Sequence, residues 1–317
     1  MSPAPVAVVI VSWNSERFLA DCLDSLGALA RPLQEIVVVD NASSDASVAI
    51  ASGRPGVRVL ELEDNLGFCE ANNRGIAETS APFVLLLNPD TRVDRDFVEG
   101  LLPAFEDPEA GIACGKLLRF DGETLDSAGQ QLARSRKPLD RGYGKPDRGQ
   151  YDRDEEVFGA CGAAALYRRR MLDEVSADCG GVFDARFFAF YEDLDLAWRA
   201  RRRGWKALYR HEALAYHHRG GSAERGDLVR RVALLGRSAE VRFHVAKNRY
   251  LTILRNDSVA GYLGNLPFIL ARDLAMLGLI AVSSPGVLLR LWRERGVFGN
   301  TLALRKLDGG ASRHHVS

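Results

Sequence analysis

Cysteine is scarce in this chain of 317 residues and shows no pattern. Cys22, Cys69, Cys114, Cys161 and Cys179 are odd in number, scattered, and include no C-x-x-C. That argues against a disulfide framework and against a zinc site built on paired cysteines, and it points to a reducing compartment. An excess of either charge is also lacking. Lys plus Arg is 42 and Asp plus Glu is 42, so no global field draws the chain to nucleic acid. No apolar run reaches about 18 residues without interruption, so a conventional membrane span is not expected. The short apolar run from Val6 to Val11 has no basic segment ahead of it, so no signal peptide is expected either. Glycine is missing from "SWNSER", the stretch after the first apolar run. A dinucleotide fingerprint, G-x-G-x-x-G, would need it there. A G-x-x-x-x-G-K-[ST] loop is missing as well. Phosphates bound here would not be cradled by a glycine loop, which makes a metal ion the natural substitute.

Charge is present locally. Residues 196–255 carry 15 Lys and Arg against 4 Asp and Glu, a net of +11 balanced by −11 elsewhere. A basic surface beside an acidic remainder suggests an anionic partner held in one place.

Along the first third, apolar runs alternate with helical patterns. "VAVVIVSW", "EIVVVD", "VRVLEL" and "FVLLLN" read as strands. "SERFLADCLDSLGAL", with Ser15 as its N-cap, "SSDASVAIAS", capped by Ser43 or Ser44, and "CEANNRGIAETS" read as helices. Such alternation predicts βαβ units in a mostly parallel sheet covered by helices on both faces. Ligands of these sheets bind outside the carboxyl ends of the strands, where "SWN", "DNASSD" and "NPD" lie. Residues 134–156 are charged, rich in Gly and Pro, and without periodicity, so a long mobile loop is expected there. A helix is expected to begin near Glu192 and a strand around Lys206–Tyr209. Beyond Leu228 the pattern is helical to about Arg295, and 301–317 is expected to be disordered.

Several side chains carry chemistry, each with a plainer alternative. Asp40 can take hydrogen bonds from a nucleobase or ribose, or its stretch can merely cap the next helix. Trp13 can stack on a base or belong to the core. Asp90 follows an apolar strand and Pro89, as a ligand for a hard divalent cation or as a surface turn residue. "FYEDLDLAWRARRRGW" places Glu192, Asp193 and Asp195 at a helix start. One of them can serve as general base, or all three can complement the macrodipole. His217 and His218 can complete a metal site or form an exposed pair.

Six stretches occur in a fixed order: "VVIVSWNSERFLADCLDSL", "IVVVDNASSD", "NLGFCEANNRGI", "LLLNPD", "GGVFDARFFAFYEDLDLAWRARRRGW" and "AYHHRGGS". Together they resemble the family 2 glycosyltransferases, and particularly the rhamnosyltransferase-like branch of bacterial polysaccharide assembly. The resemblance runs from about Val6 to Arg255. It implies a GT-A fold with a C-terminal helical extension, a nucleoside-diphosphate sugar donor, Mg²⁺ or Mn²⁺, and inversion at the anomeric carbon. It divides the chain into a catalytic domain, 1–225, with a nucleotide-binding half, 1–120, and an acceptor half, 121–225. A helical region, 226–300, follows. By position, Ser12, Trp13, Asn14, Asp40, Asn65, Asn72 and Asn88 would serve the nucleotide. Asp90 and His217 would hold the metal, and Asp193 would be the general base on an exposed pocket rim. Gly162, Glu192 and Asp195 would lie on the acceptor side. The family's metal motif often reads D-x-D, whereas its first acid is Asn88 here, which removes one charge. A sugar-nucleotide pyrophosphorylase or a non-catalytic nucleotide-binding relative is the alternative.

The acceptor implied is a saccharide or lipid-linked saccharide hydroxyl, reached from the cytoplasmic side. The apolar C-terminal segment is interrupted by Arg272 and Asp273 and broken by Pro267 and Pro285. Lying on an anionic membrane surface is therefore expected in preference to spanning. The alternative is a helical pair packed on the catalytic domain or in a homodimer.

Overall fold

A computed structural model describes residues 2–177, 179–219, 238–301 and 305. Strands β1 (Ala4–Ser12), β2 (Leu33–Asp40), β3 (Val57–Glu61) and β4 (Phe83–Leu87) run parallel in the order β4-β1-β2-β3. Their apolar runs split by alternation between two cores. Val8, Ile10, Val38 and Leu85 face one side, and Val9, Val39, Val84 and Leu86 face the other. Period-two alternation of side chains in a sheet covered on both faces has this consequence. Helix α1 (Glu16–Gly27) covers the first side with Leu19, Cys22, Leu23 and Leu26, spaced as one helical face. Helix α2 (Ser47–Ser52) packs beside it. Helix α3 (Gly67–Ala77) covers the second side. It lies so close that a Cβ on Gly75 would stand 2.4 Å from Val9 Cγ1.

The chain then extends the sheet past β4. Strand β5 (Thr91–Val93) and helix α4 (Phe97–Leu101) lead into β6 (Ala110–Leu118) and the short β7 (Leu125–Ser127). Strands β8 (Gln130–Leu132) and β9 (Pro138–Asp140) form a separate hairpin, followed by β10 (Glu155–Val157), β11 (Ala164–Arg168) and α5 (Arg169–Ser176). After α6 (Glu192–Arg202), β12 (Lys206–His217) completes a ten-stranded sheet whose main path is β10-β12-β6-β11-β4-β1-β2-β3, with β5 paired to β12 and β7 to β6 beside it. The central sheet is parallel through its first half. Beyond it β11 runs antiparallel to both β4 and β6, while β12 is parallel to β6.

Residues 134–156 are not the structureless loop expected of them. They include β9 and β10 and are pinned by charge pairs: Arg136 with Asp257 at 2.6 Å, Arg141 with Glu155, and Lys116 with Asp147 at 2.9 Å. These charge pairs, two of them with partners outside the stretch, replace the apolar periodicity it lacks.

Among the described residues, helices α7 (Ala239–Asn256), α8 (Val259–Gly264), α9 (Leu266–Ser283) and α10 (Pro285–Arg293) follow. Helix α7 packs on α6 through polar side chains, with Asn248, Arg249, Thr252, Arg255 and Asn256 all buried. Phe243, Ala246, Met276, Ile280 and Val287 form a small apolar cluster among α7, α9 and α10. Helix α9 is long and apolar enough to cross a membrane by length and composition, with mean hydropathy 1.8, and only 22% of its span is buried. The charged pair at Arg272 and Asp273 breaks the run in sequence without lowering that average enough. The boundary expected at 225/226 lies outside the described residues, as does the expected tail apart from Thr301 and Arg305.

Candidate active site

The parallel strands end their carboxyl edge with polar side chains. Ser12 and Asp40 are register partners there. Both are buried, and Ser12 Oγ and Asp40 Oδ1 have no hydrogen-bond partner among the described residues. A buried acceptor left open is costly unless something else satisfies it. The other oxygen of Asp40 accepts from Ser43 N at 2.8 Å. Asp40 thus supports its own turn with one oxygen and leaves the second unpartnered among the described residues.

"DNASSD" does not cap the next helix through Ser43 or Ser44, since the N-cap is Ala46 with no side-chain cap bond. Those serines instead tie the two loops together: Asn14 N donates to Ser43 Oγ at 2.9 Å, and Ser44 N donates to Asn14 Oδ1 at 2.8 Å. Asn14 takes φ +49 to do so. Trp13 is 56% exposed at this edge and is not a core residue. Asn65 Oδ1 accepts from Asn41 Nδ2 and Gly67 N, both at 2.9 Å, which anchors the start of α3. Asn72 is buried and spends its amide on the Phe68 carbonyl within its own helix. Asn65 therefore braces the edge, whereas Asn72 bonds within its own helix.

After β4, Asn88 N donates to Ala163 O at 2.9 Å and leaves Asp90 half-buried. Oδ1 of Asp90 lies 3.3 Å from His217 Nε2, and His217 Nδ1 lies 2.9 Å from Asp126 Oδ2. Antiparallel pairing of β5 with β12, which sets His217 against Thr91, brings them together. Burial would lower the His217 pKa, but the hydrogen bonds with Asp126 and Asp90 outweigh it and raise it from 6.5 to about 9. Without a metal the two carboxylates thus favour the protonated ring, and a cation at Nε2 would have to displace that proton. Arg219 continues the network to Asp126 at 2.8 Å and to Asp140 at 2.5 Å. His218 is not an exposed partner of His217, since its ring packs 4.6 Å from that of Phe18.

Among the described residues no group of three or more His, Cys, Asp or Glu side chains is gathered around a common metal position. Asp90 Oδ1 and His217 Nε2, 3.3 Å apart, are nevertheless a hard oxygen and an imidazole nitrogen near enough to share one cation. A carboxylate behind the imidazole is the arrangement that orients metal-ligating histidines. By its chemistry this donor pair would suit a hard divalent cation only if other ligands completed its coordination.

Asp193 stands in the first turn of α6. Its Oδ1 accepts from Leu194 N at 2.7 Å, and its Oδ2 from Gln130 Nε2 at 2.6 Å and Gly162 N at 3.3 Å. Gly162 and Asp193 are thus brought together. The side chain is recessed and not on the exposed rim expected from sequence. Burial, then the charge of Asp140, raises its pKa against the pull of those three donors. Glu192 beside it is raised from 4.5 to about 8, by burial first and the Asp193 charge second. Its Oε2 is buried without a partner among the described residues.

Asp195 is turned the other way. It is fully buried, paired with Arg199 at 2.7 Å and Asn256 at 2.7 Å, and holds helices together. Asp126, Gln130, Asp140 and Arg219 escaped the sequence reading. Only Arg219 had a local signal, as the cation following the histidine pair.

Known proteins match this architecture. The family described as Glycosyl transferase family 2 matches residues 7–176, more than half of the chain. An N-acetylglucosaminyl-diphospho-decaprenol L-rhamnosyltransferase of Mycobacterium tuberculosis is 32% identical over 247 residues, covering 69% of this chain and 77% of that protein. Among solved structures, Staphylococcus aureus TarS 1-349 in complex with UDP superposes with a TM-score of 0.56 at 18% identity, over 85% of this chain and 72% of that one. A mannosyltransferase from Pyrobaculum calidifontis, in complex with GDP-Man and Mn²⁺, gives 0.54 at 16% identity, over 99% and 90%. The chain is a transferase enzyme of glycosyltransferase family 2, built on the GT-A fold.

Proposed function

We propose that this enzyme moves a rhamnose-like sugar, with inversion, from a nucleoside-diphosphate donor to a hydroxyl of a lipid-linked saccharide in cell-envelope polysaccharide synthesis. The observation that carries the reaction type is Asp193, a recessed carboxylate at a helix start held by Gln130 and the Gly162 amide, its pKa raised by burial and the charge of Asp140. A general base works best with its pKa near the operating pH. The sugar and the acceptor rest on the likeness to the mycobacterial rhamnosyltransferase.

Ser12 Oγ and Asp40 Oδ1 receive the nucleoside's N–H or hydroxyl groups, and Trp13 lies beside them as a stacking face. Asp90 and His217 would hold a Mg²⁺ or Mn²⁺ ion, which when bound would neutralise charge on the diphosphate. Gln130 and the Gly162 amide fix the Asp193 carboxylate, which takes the proton of the acceptor hydroxyl. The acceptor oxygen then bonds to the anomeric carbon as the bond to the diphosphate breaks on the opposite face. The nucleoside diphosphate leaves with the electron pair.

The acceptor's lipid implies a membrane surface. Leu263, Phe268, Leu270, Leu274 and Val282 of α8 and α9 are exposed, as are Leu289 and Trp292 of α10. Cations border this face. Arg134 lies 3.9 Å over the Phe268 ring and Arg295 4.4 Å over that of Trp292. Apolar side chains rimmed by arginine, with an exposed tryptophan, suit the interface of an anionic leaflet. The enzyme is read as a peripheral protein on the cytoplasmic face.

A panel of nucleotide sugars screened for thermal stabilisation with Mn²⁺ tests the donor class, because a ligand selective for the folded state raises the melting temperature. One deoxyhexose nucleotide standing out is the expected result. No stabilisation by any nucleotide sugar would overturn the reading.

A further inference from the structure

We infer that Asn248, on α7 and far along the chain from the site, is a positioning residue that sets the general base Asp193 by clamping the loop ahead of it; this rests on the reading of Asp193 as base. Asn248 is fully buried. Its Nδ2 lies 2.8 Å from three carbonyl oxygens, those of Phe187, Ala189 and Phe190, which share its two hydrogens. Only a donor suits that spot, which fixes which way the amide points.

The clamped loop is one that would not hold its shape unaided. Phe188, Phe190 and Tyr191 take φ of +65, +74 and +71. Non-glycine residues persist in that region only where their surroundings over-determine them. Here the surroundings are two helices. From α3, Cys69 N donates to the Phe188 carbonyl at 3.1 Å. From α7, His244 stacks on the Phe188 ring at 5.0 Å. Asn248 takes the remaining carbonyls. Tyr191 is the residue from which α6 starts, so its backbone decides where the next two side chains point. Two turns further along α7, Asn256 donates to Asp195 Oδ1 at 2.7 Å and holds α6 itself. One face of the C-terminal helical region thus fixes both the helix bearing Asp193 and the approach to it.

A base displaced by a fraction of its working distance loses rate and not donor affinity. The test compares Asn248→Asp and Asn248→Ala, in the full chain, with the unaltered protein and with the base variant Asp193→Asn. Asn248→Asp keeps the size but sets an acceptor against three acceptors; Asn248→Ala, which leaves room for water, serves if the first does not fold. The probes are Mn²⁺-dependent hydrolysis of the donor selected by the panel and hydrogen exchange over residues 186–194. The expected result is a fall in kcat of about 100-fold with donor KM within about twofold, and faster exchange over 186–194 while β1–β4 stay protected. Normal kcat in the Asn248 variants beside an inactive Asp193→Asn overturns the clamp and leaves the base reading standing. Normal kcat in Asp193→Asn overturns the base reading instead, and exchange over 186–194 then decides whether Asn248 holds the loop.

Discussion

Oδ2 of Asp126 lies 2.9 Å from Nδ1 of His217 and turns the other ring nitrogen toward Asp90. If these residues carry the metal, Asp126→Asn should weaken Mn²⁺-dependent binding of the donor's nucleoside diphosphate about tenfold, and Asp90→Ala should weaken it further. Neither change should matter much in EDTA. Calorimetric titration with and without metal checks this, and equal losses in both conditions would give Asp90 another role.

Glu192 supplies a pH dependence with a definite sign. Its folded-state pKa is raised from 4.5 to about 8, so between those values the folded protein binds a proton that the unfolded chain has released. Stability from this group is therefore full below pH 4.5 and declines as pH rises toward 8. Glu192→Gln should raise the melting temperature at pH 8 relative to wild type by about 2 °C or more, the shift that roughly 1 kcal/mol gives a chain of this size. At pH 4.5 the difference should nearly vanish. Thermal unfolding at the two pH values reads it directly, and a variant less stable at pH 8 would contradict it.

The exposed apolar face of α8 to α10 predicts flotation with vesicles containing anionic lipid at low salt, weakened as salt is raised. Each arginine near such a leaflet contributes roughly 1 kcal/mol. Leu274→Asp should reduce the bound fraction, because Leu274 is 73% exposed on the apolar α9. Absence of binding to anionic vesicles at low salt would end the surface reading and turn attention to pairing between copies, visible as concentration-dependent sedimentation.

Much of the first half was legible because its signals are local. Apolar runs such as "FVLLL" announced strands, and Ser12, Asp40 and Asp90 fell at strand ends where a parallel sheet puts its ligands. What escaped the reading depends on contacts between distant segments. Asp126 and Gln130 sit in "LDSAGQQL", which has no periodicity, and gain meaning only when His217 and Asp193 arrive from about 90 and 60 residues away. Residues 134–156 looked like a loop because their anchors are charge pairs and not an apolar stripe. Helix α7 did leave a trace: Asn248, Thr252, Arg255 and Asn256 follow at i, i+4, i+7 and i+8. That is the spacing of a buried face, carried here by polar residues. Asp195 shows the converse, a polar side chain within a family motif that is paired with Arg199 and Asn256.

The most direct test of the account is the turnover of Asp193→Asn measured together with its donor affinity. The substitution keeps the side chain's size and lets its amide oxygen still accept from Gln130 and the Gly162 amide, but removes the capacity to take a proton. Turnover of the donor identified by the panel should fall about 100-fold or more, with the dissociation constant for donor and Mn²⁺ essentially unchanged. Wild-type turnover in that variant would contradict the assignment of Asp193 as the base.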